Sequence, residues 1–502
     1  KLLLAKTMTG FYSYCAMSEG LFKNNSFYKS ATTEWRASSS EYKFEFDSVP
    51  KVIFPKTDIS CYAKGDSSII MKTSGVYYPI AQLWVGKNGR VDWRRAGIDE
   101  NLSYADLKNY KISCKTSSYT ADSVEYYNKN YFKTPLLGKL TDKVLADATD
   151  NRASYPEFNS YDKRLEIPNI FQDVNYDGGF FVKGARIIGS GDKKNPAYLK
   201  FYRNKKLFVL VSAKSYIIRT DKISSDKAEV SIYNESDSIY HPGLTMKFIF
   251  KDKELSLIRD NQGIARAPFS DSYHQLDMDF EALYWKMDEP SISMEMIKGS
   301  AESNATFESK GFFREKRYHK LQGLDDVHPL IKIKNFSEKN KTREASINEI
   351  SAYMGISPEY IRPMMLSYNN LGFVDFEYDE DRIVIQERLF DYVKFMAGKK
   401  DYDVIEFKSN LSGNQTNAKI NLLNFDLKIT GVKQIFLSDS QSVNIFPLGQ
   451  TITVKKNRDF SFAGIINAGR FQFFGKEFSF EYDKFKLNLV NVDSLRIKVA
   501  TG

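Results

Sequence analysis

Residues 476–489 read KEFSFEYDKFKLNL and carry the clearest fold signal in the chain. Apolar residues stand at every second position on both sides of a turn at Asp483-Lys484. They are Phe478, Phe480 and Tyr482 before the turn, and Phe485, Leu487 and Leu489 after it. Because successive side chains of a β-strand point to opposite faces, this spacing predicts an antiparallel hairpin with Phe478, Phe480 and Tyr482 on one face.

The same alternation indicates antiparallel sheet throughout 403–499 and again in a second region, 165–260. In the second region, turn residues separate the strand-like runs at intervals of roughly ten to seventeen residues. A content of 37 Phe and 31 Tyr also favours sheet, since aromatic side chains pack well on a pleated surface. The predicted fold class is mainly β with α parts, its antiparallel sheets forming a sandwich or an elongated β-stack.

A chain of 502 residues is too long for one ordinary core, and its length suggests three or four domains. The period of the apolar positions changes along the chain and divides it into five segments. These are a helical segment 1–42; a β-rich region 43–160 with short helices near 103–110 and 140–148; an antiparallel β domain 161–335; a winged-helix-like module 336–398; and an antiparallel β domain 399–502.

The chain begins at Lys1 without Met and ends at Gly502 directly after a predicted strand. We therefore expect a fragment or processed product, with the last β domain continuing beyond the chain end. A missing signal peptide is then uninformative. No run approaches the ~18 apolar residues that a membrane helix needs, so the part given is not expected to span a membrane itself.

A short Asp-Ser-apolar unit recurs beside strand-like runs at irregular spacing. Asp and Ser side chains hydrogen-bond nearby backbone in turns, so common turn chemistry explains the unit. The alternative is a stack of similar β-rungs. The unit occurs at 47–49, 122–124, 237–239 and 493–495.

Residues 342–397 depart from the β pattern. Ser346 and Glu349 have the spacing of a capping box at a helix start, and Gly355 with Ser357-Pro358 predicts a tight turn into a second helix that ends at Gly372. Two strand-like runs follow, 373–378 and 382–385. This order resembles a winged-helix domain, whose small core we expect to contain Ile347, Ile350, Ile361, Leu366, Leu371 and Val384.

Winged-helix domains commonly bind DNA, and charge argues against that activity here. Between 341 and 398 there are six Lys or Arg and ten Asp or Glu, a balance of −4, whereas the whole chain carries +9. The second helix carries only Glu359 and Arg362, and the wing tip is the acidic run 379–381. DNA affinity depends on neutralising phosphates, so we expect the module to dock on protein through the exposed side of 358–371. Pro363 inside that helix removes a backbone donor or imposes a kink.

Motifs for metal binding and catalysis are weak. Residues 173–178 match the first half of a calcium loop, but Gly184 stands where the bidentate carboxylate is required, so we expect a polar hairpin turn and no metal. The four histidines show no metal-ligand spacing. His274 near Asp271 and Asp277, and His328 near Asp325 and Asp326, form half-sites at most, and we expect all four histidines, including His241 and His319, to be surface or structural residues.

The three cysteines Cys15, Cys61 and Cys114 form neither a disulfide framework nor a zinc motif, although one bridge between Cys61 and Cys114 stays open. Gly189-Ser190-Gly191-Asp192 lacks the Lys-Ser/Thr of a phosphate loop, and no GxSxG motif is present. The sequence therefore predicts no enzyme, no catalytic, cofactor-binding or metal-binding residues, and no cofactor.

Several segments resemble known bacterial proteins. The run 119–126, followed by Leu137-Gly138, resembles rungs of periplasmic β-jellyroll proteins of lipid transport. The runs 61–67 and 474–480 resemble those of large uncharacterised β-rich cell-envelope proteins of the Bacteroidota. The second family brings no activity with it. Together the resemblances imply a location in the cell envelope, in the periplasm or associated with the outer membrane.

These observations favour a structural or interaction component of a multi-protein envelope assembly, with other envelope proteins as partners and no nucleic acid. The runner-up is a lipid- or glycan-binding or transport protein that uses its aromatic-rich sheets. DNA binding through the winged-helix-like module ranks third, and an enzyme finds no specific support.

Overall fold

The computed structural model describes residues 8–145, 153–192, 194–260, 263–297, 302–323, 325–378, 380–412, 415–438 and 442–498. These residues form 38 strands and six α-helices, so the predicted mainly-β class with α parts is confirmed. None of the described helices is both long enough and apolar enough to cross a membrane.

The strands pair antiparallel, as the alternating apolar positions predict. The first eighteen are β1 (Ser26–Lys29), β2 (Glu34–Ala37), β3 (Lys43–Phe46), β4 (Pro50–Ala63), β5 (Asp66–Tyr78), β6 (Leu83–Lys87), β7 (Arg90–Asp92), β8 (Ser103–Asp106), β9 (Asn109–Ser113), β10 (Ser118–Asn128), β11 (Leu136–Lys143), β12 (Glu157–Ser160), β13 (Leu165–Phe171), β14 (Val174–Lys183), β15 (Arg186–Ser190), β16 (Ala197–Arg203), β17 (Lys206–Ala213) and β18 (Ser215–Ile218).

The remaining strands follow in chain order. They are β19 (Lys222–Asn234), β20 (Asp237–Ile249), β21 (Glu254–Ile258), β22 (Phe269–Asp271), β23 (Leu276–Asp279), β24 (Ala282–Lys286), β25 (Ser291–Glu295), β26 (Glu302–Ser309), β27 (Glu344–Ser346), β28 (Val374–Glu377), β29 (Arg382–Ile385), β30 (Glu406–Ser412), β31 (Ala418–Asn421), β32 (Leu427–Thr430), β33 (Ile435–Ser438), β34 (Val443–Pro447), β35 (Thr451–Val454), β36 (Phe460–Ala468), β37 (Phe471–Glu481) and β38 (Lys486–Ile497).

Five of the six described α-helices lie between Glu315 and Met396. The six are α1 (Met8–Asn24), α2 (Glu315–Gln322), α3 (Pro329–Asn340), α4 (Ile347–Met354), α5 (Pro358–Asn370) and α6 (Glu387–Met396). The chain divides into two compact units. The first holds Lys1–Leu199 and Lys214–Thr220, and the second holds Lys200–Ala213 and Asp221–Gly502. The predicted segment 161–335 is therefore divided between them.

The first unit is built around the long hairpin β4–β5, which turns at Lys64 and Gly65, both with positive φ. The interior contains large aromatic side chains: Trp84 is fully buried and stacks on Phe27 with ring centroids 5.5 Å apart. Burying such side chains contributes on the order of 2–3 kcal/mol each, so this aromatic core gives the unit a large part of its stability.

The sequence-based helices of the first unit are largely wrong. The helical segment 1–42 ends at Asn24, and β1 and β2 follow, with Phe27 and Trp35 packed into the sheet core. Segment 103–110 forms β8 and the start of β9, and 140–143 ends β11. Residues 146–148 lie outside the described residues. In such short runs, a few apolar positions fit the spacing of a helix and that of a strand equally well. The structure buries every second residue, which is the strand pattern.

In the second unit, two series of strands leave β20. One passes through β21, β24, β25, β31 and β32 to β35. The other passes through β22, β23 and β26 to β30. Buried Asn417 connects them: its Nδ2 donates to the carbonyl oxygen of Ser303 and to Oγ of Ser409, and its Oδ1 accepts from Oγ of Ser303.

The helical module is inserted between β26 and β30, which pair from Glu302↔Ser412 to Glu308↔Glu406. Its two ends therefore leave the sheet side by side, and the insertion keeps the ladder of the two strands intact. The module begins with α2 at Glu315, earlier than the predicted boundary at 336. The order α4–α5–β28–β29 is the predicted helix, turn, helix and hairpin; α3 and β27 precede it, and β27, β29 and β28 form a small sheet. The winged-helix identification itself stays a prediction.

The module has its own hydrophobic core, and most of the residues that the sequence predicted for this core lie in it or pack against it. Ile347, Ile350 and Ile361 are fully buried in it, and Leu366 and Leu371 pack against it. Val384 is wrong: it is half-buried on the other face of β29, and its neighbours Ile383 and Ile385 enter the core. Adjacent strand residues face opposite sides of a sheet. In an all-apolar run such as 383–385, the sequence therefore does not show which of the alternate residues point into the core.

The predicted capping box at the start of α4 is confirmed. Oγ of Ser346 accepts the backbone N–H of Glu349 at 3.3 Å, and Oε2 of Glu349 accepts the backbone N–H of Ser346 at 2.7 Å. Gly355 ends the helix in the left-handed conformation, with φ 70°. Helix α5 retains Pro363 in its interior.

Arginine side chains join the module to the sheet from which it emerges. Arg388 of α6 donates to Asp277 of β23 and, at 3.0 Å, to Glu308 of β26. Arg317 of α2 binds Glu308 through two hydrogen bonds of 2.6 and 3.0 Å. Burial raises the pKa of Glu308, but the two guanidinium groups outweigh it and leave the pKa below its ordinary value. The module is thus held on the sheet by buried, paired charges.

Candidate interaction surface

The hairpin predicted from 476–489 forms, and its strands continue well beyond that stretch. β37 and β38 pair from Glu481↔Lys486 to Phe471↔Ile497. Phe478 and Phe480 are each 1% exposed and lie on the same face, as predicted. Tyr482 follows the end of β37 and lies in the turn, where the guanidinium of Arg458 packs 3.5 Å from its ring centre. The predicted face therefore holds for the two phenylalanines and not for Tyr482.

The inward face of this sheet becomes progressively less covered towards β38. Ladder partners place Ile445, Ile466, Phe473 and Leu495 in one row across β34, β36, β37 and β38. Ile445 and Ile466 are buried, Phe473 is half-buried, and Leu495 is 49% exposed. Directly opposed residues of neighbouring strands share a face, so Leu495 belongs to the same face as the buried isoleucines. The core face thus runs on into solvent.

We call the exposed part of this face the hairpin patch. It consists of alternate positions of β37 and the residues opposite them in β38: Phe471, Phe473, Val492, Leu495 and Ile497. All but the half-buried Phe473 are between 41% and 58% exposed. Contiguous apolar side chains in water are unfavourable, and on a folded protein such a patch marks a contact surface.

Two features keep this part of the hairpin in its geometry. Phe474 pairs with Ser494 and Gly475 pairs with Val492, so Asp493 is the extra residue of a bulge in β38. Nearby Asn491 adopts φ 53° and donates from Nδ2 to Oε2 of Glu477 at 2.6 Å. Opposite the bulge, a Cβ added to Gly475 would lie 2.6 Å from the ring of Phe478. Glycine is therefore required where the two strands change register.

β38 is also an edge strand. Within the described part of the chain, its ladder partner is β37 alone, so its outer backbone groups face away from the sheet. The side opposite to the hairpin patch carries the exposed cations Lys486, Arg496 and Lys498, with exposed Val490 between them, and Arg496 lies 4.8 Å over the ring of Phe474. The strand therefore presents an apolar face, a basic face and a free backbone edge.

A second exposed surface lies on the helical module, where docking through α5 was predicted. Tyr360 of α5 is 73% exposed and Tyr378, after β28, is 50% exposed. Arg362, the basic residue of α5, lies 3.3 Å from Asp381 and packs over Tyr378 at 5.4 Å. Because a wing carboxylate already engages this guanidinium, the module offers little positive charge to a phosphate backbone.

His274 and His328, the two histidines that the sequence placed near carboxylates, make structural hydrogen bonds. Nδ1 of buried His274 lies 2.6 Å from Oδ2 of Asp271, and Nε2 donates to the carbonyl oxygen of Phe425 at 2.8 Å. Asp277 binds Arg388 instead. A small apolar crevice adjoins this pair, lined by side chains such as Ile292 and Phe425. The pair joins two loops of the second unit and leaves neither ring nitrogen free.

His328 caps α3: Nδ1 accepts the backbone N–H of Leu330 at 3.1 Å, and Nε2 donates to the carbonyl oxygen of Tyr318 at 2.9 Å. Its ring nitrogens are thus engaged away from Asp325 and Asp326, and burial lowers its pKa. His241 is buried, which lowers its pKa to about 3, and its Nε2 lies 2.8 Å from the carbonyl oxygen of Ala267. His319 is exposed beside Glu315.

The calcium-like run 173–178 spans a turn and a strand. Asp173, with φ 59°, lies in the turn between β13 and β14, and the following residues alternate along β14. Asp177 pairs with Arg164 at 2.6 Å. Side chains that alternate across a strand do not converge on one ion, so the geometry is that of a polar hairpin turn. Across the described residues, no cluster of three or more His, Cys, Asp or Glu is placed to hold a metal.

The disulfide bridge that the sequence left open does not form, and Cys61 and Cys114 are free, buried thiols. Burial raises the pKa of Cys61 to about 12 and raises that of Cys114 as well. Both are therefore protonated at neutral pH and are poor nucleophiles. Cys15 is exposed.

One buried ion pair had no signal in the sequence. Asp142, 1% exposed, accepts from Nη1 of Arg95 at 2.9 Å, and Arg95 also donates to the carbonyl oxygen of Lys143. Burial raises the pKa of Asp142, and Arg95 opposes that rise. Residues 47 positions apart in sequence give no local pattern, so only the fold brings them together.

The hairpin patch was likewise missed by the sequence, although the exposed residues belong to the same alternating run that predicted the strand. Comparison with known proteins adds no candidate site: no family model matches the chain, and no curated protein matches its sequence.

Proposed function

We propose that the protein is a non-catalytic interaction component of a multi-protein assembly and that the hairpin patch is a principal contact surface. The observation that carries the proposal is the core face of the second unit, which continues uncovered across β37 and β38. Four of its apolar side chains are at least 41% exposed. Hydrophobic burial contributes roughly 25 cal/mol per Å², so covering this face with a partner stabilises a complex.

The form of the patch favours assembly over lipid or glycan binding. Ligand sites for small molecules are concave and enclose most of the ligand. The hairpin patch is a sheet face beside a free edge, and a surface of that form suits another protein. The cell-envelope location in this proposal rests on the sequence resemblance, as does the expectation that the partners are envelope proteins.

The helical module fits the same function as a second docking surface. Its exposed tyrosines lie on α5 and beside the wing, and Tyr and Arg are enriched where proteins meet. The acidic balance of −4 and the pairing of Arg362 with Asp381 support protein docking in preference to DNA.

The proposal is tested by affinity enrichment from native membranes, with mass spectrometry of the co-purified proteins. The double variant Leu495→Ser/Ile497→Ser removes the outer half of the patch. Its matched control, Leu423→Ser, changes a side chain that is 76% exposed in a loop of the same unit. Because all three positions are exposed, each purified variant is expected to keep the melting temperature of the wild type.

We expect the wild type and Leu423→Ser to retain the same partners, and the double variant to lose at least one abundant partner. Identical partner sets for all three chains, or no reproducible partner for any of them, would contradict the assignment of the patch.

A further inference from the structure

The outer edge of β38 raises a question that the hairpin patch alone does not answer. Natural edge strands are blunted by charges and bulges because a free edge pairs with other strands. β38 has both devices, a bulge at Asp493 and the basic residues Lys486 and Arg496. Yet the strand continues for twelve residues through the bulge, and its inward face stays apolar to Ile497. A strand protected only against pairing has no need of that apolar face.

The two faces of β38 define what would complete it. The inward face carries Val492, Leu495 and Ile497, in continuity with buried Ile445 and Ile466. The outward face carries Lys486, Arg496 and Lys498. From Lys486 to Lys498 these three cations outnumber the carboxylate of Asp493. A strand added at the edge must therefore place apolar side chains inward, and acidic side chains outward gain most from the basic face.

We propose that β38 is a strand-addition site for an extended segment of a partner protein in which apolar residues alternate with Asp or Glu. The inference rests on the proposed function, since it specifies how a partner covers the hairpin patch. The added backbone would pair with the free edge, its apolar side would extend the core face, and its carboxylates would pair with Arg496 and its basic neighbours.

A second copy of this chain fits the edge less well. Antiparallel pairing of two β38 strands about a two-fold axis perpendicular to the sheet keeps the same face up in both copies. The basic side chains of both strands would then share one face. Like charges across neighbouring strands are destabilising, so the charge pattern selects an acidic partner over self-association.

The test uses synthetic twelve-residue peptides and fluorescence anisotropy with the intact chain. The parent peptide alternates Val and Glu, and its matched control replaces every Glu with Lys. Two further versions of the parent carry N-methyl groups on every second amide, one version for each edge of the peptide strand. N-methylation removes the backbone donor while keeping the side chains, so it isolates the contribution of the ladder.

We expect the Glu peptide to bind about tenfold more tightly than the Lys peptide, because each opposite-charge cross-strand pair is worth only a fraction of the binding energy. The version methylated on the pairing edge should lose binding. In the chain, Arg496→Glu/Lys498→Glu should reverse the preference between Glu and Lys peptides. Lys419→Glu, an exposed change in the inner strand β31, should leave the preference unchanged.

Failure of the parent peptide to bind, equal binding of the Glu and Lys peptides, or full binding by both N-methylated versions would overturn strand addition. Concentration-dependent dimerisation of the chain through β38, lost in Leu495→Ser/Ile497→Ser, would overturn it in favour of a second copy. These outcomes leave the proposed function standing if the enrichment experiment still shows partners that depend on the patch. Loss of that dependence defeats the proposed function itself.

Discussion

The surroundings of Asp375 make ionisation of its carboxyl group unfavourable. It lies on β28 of the helical module, and Nε2 of Gln386 donates a hydrogen bond to its Oδ2. Burial, the nearby Glu377 and, further away, Glu229 raise its pKa to about 6, while Arg382 acts in the opposite direction. At neutral pH the folded protein therefore carries a charge that its surroundings disfavour.

This arrangement makes stability depend on pH in a defined direction. An unfolded Asp has a pKa of about 3.9, so the folded chain holds this proton more tightly. The stabilising contribution is complete below about pH 4 and is lost as the pH rises towards about 6. We expect Asp375→Asn to raise the free energy of unfolding at pH 7 by about 1–2 kcal/mol and to flatten its fall between about pH 4 and 6.

Chemical denaturation at several pH values measures this effect. Glu359→Gln, which removes an exposed carboxylate of α5, is the matched control and should follow the wild-type profile. If Asp375→Asn also follows the wild-type profile, Asp375 does not carry the raised pKa that its burial imposes.

At the level of single elements, β29 gives a direct test of the module's core. Ile383 is fully buried and Val384 is half-buried, although they are neighbours of similar chemistry. Ile383→Ala leaves a cavity and should lower the free energy of unfolding by about 2–4 kcal/mol. Val384→Ala, the control, should cost less than about 1 kcal/mol. Equal losses in denaturant titrations would show that β29 does not present Ile383 inward.

The same strand shows what the sequence was able to predict. Where apolar and polar residues alternate, as at Phe478 and Phe480, both the strand and its buried face are evident beforehand. In the run 383–385 every residue is apolar. The strand can therefore be predicted, but the residues that point into the core cannot. The capping box at Ser346 and Glu349 was readable because its chemistry is contained within four residues.

Structural features that depend on contacts between residues far apart in the chain could not be predicted from local sequence patterns. β1 and β2 were taken as helix because the run 26–37 is short, and the packing of Trp35 against the first unit's core decides its structure. Arg388 and Glu308 are 80 positions apart, and Asp142 and Arg95 are 47 apart. Leu495 is exposed because the rest of the described chain does not pack on it. A local sequence pattern carries no information about such packing.

At the scale of the whole molecule, the helical module and the hairpin patch belong to the same unit. The module enters and leaves through the paired strands β26 and β30, so it extends the surface of the unit without interrupting its sheet. The patch lies where that unit's sheet ends at β38. Under the proposed function, these two exposed surfaces of different chemistry are where other proteins bind.

Hydrogen exchange of the β38 amides tests the central claim most directly. The purified chain is compared with the same chain isolated in complex with its native partners, and β33, whose ladder partner among the described residues is β34 and which exposes Phe436, serves as the internal control. We predict that those amides of residues 486–497 that point away from β37 exchange at least about tenfold more slowly in the complex while β33 is unchanged. Equal exchange of β38 in the free and the assembled chain would contradict the account.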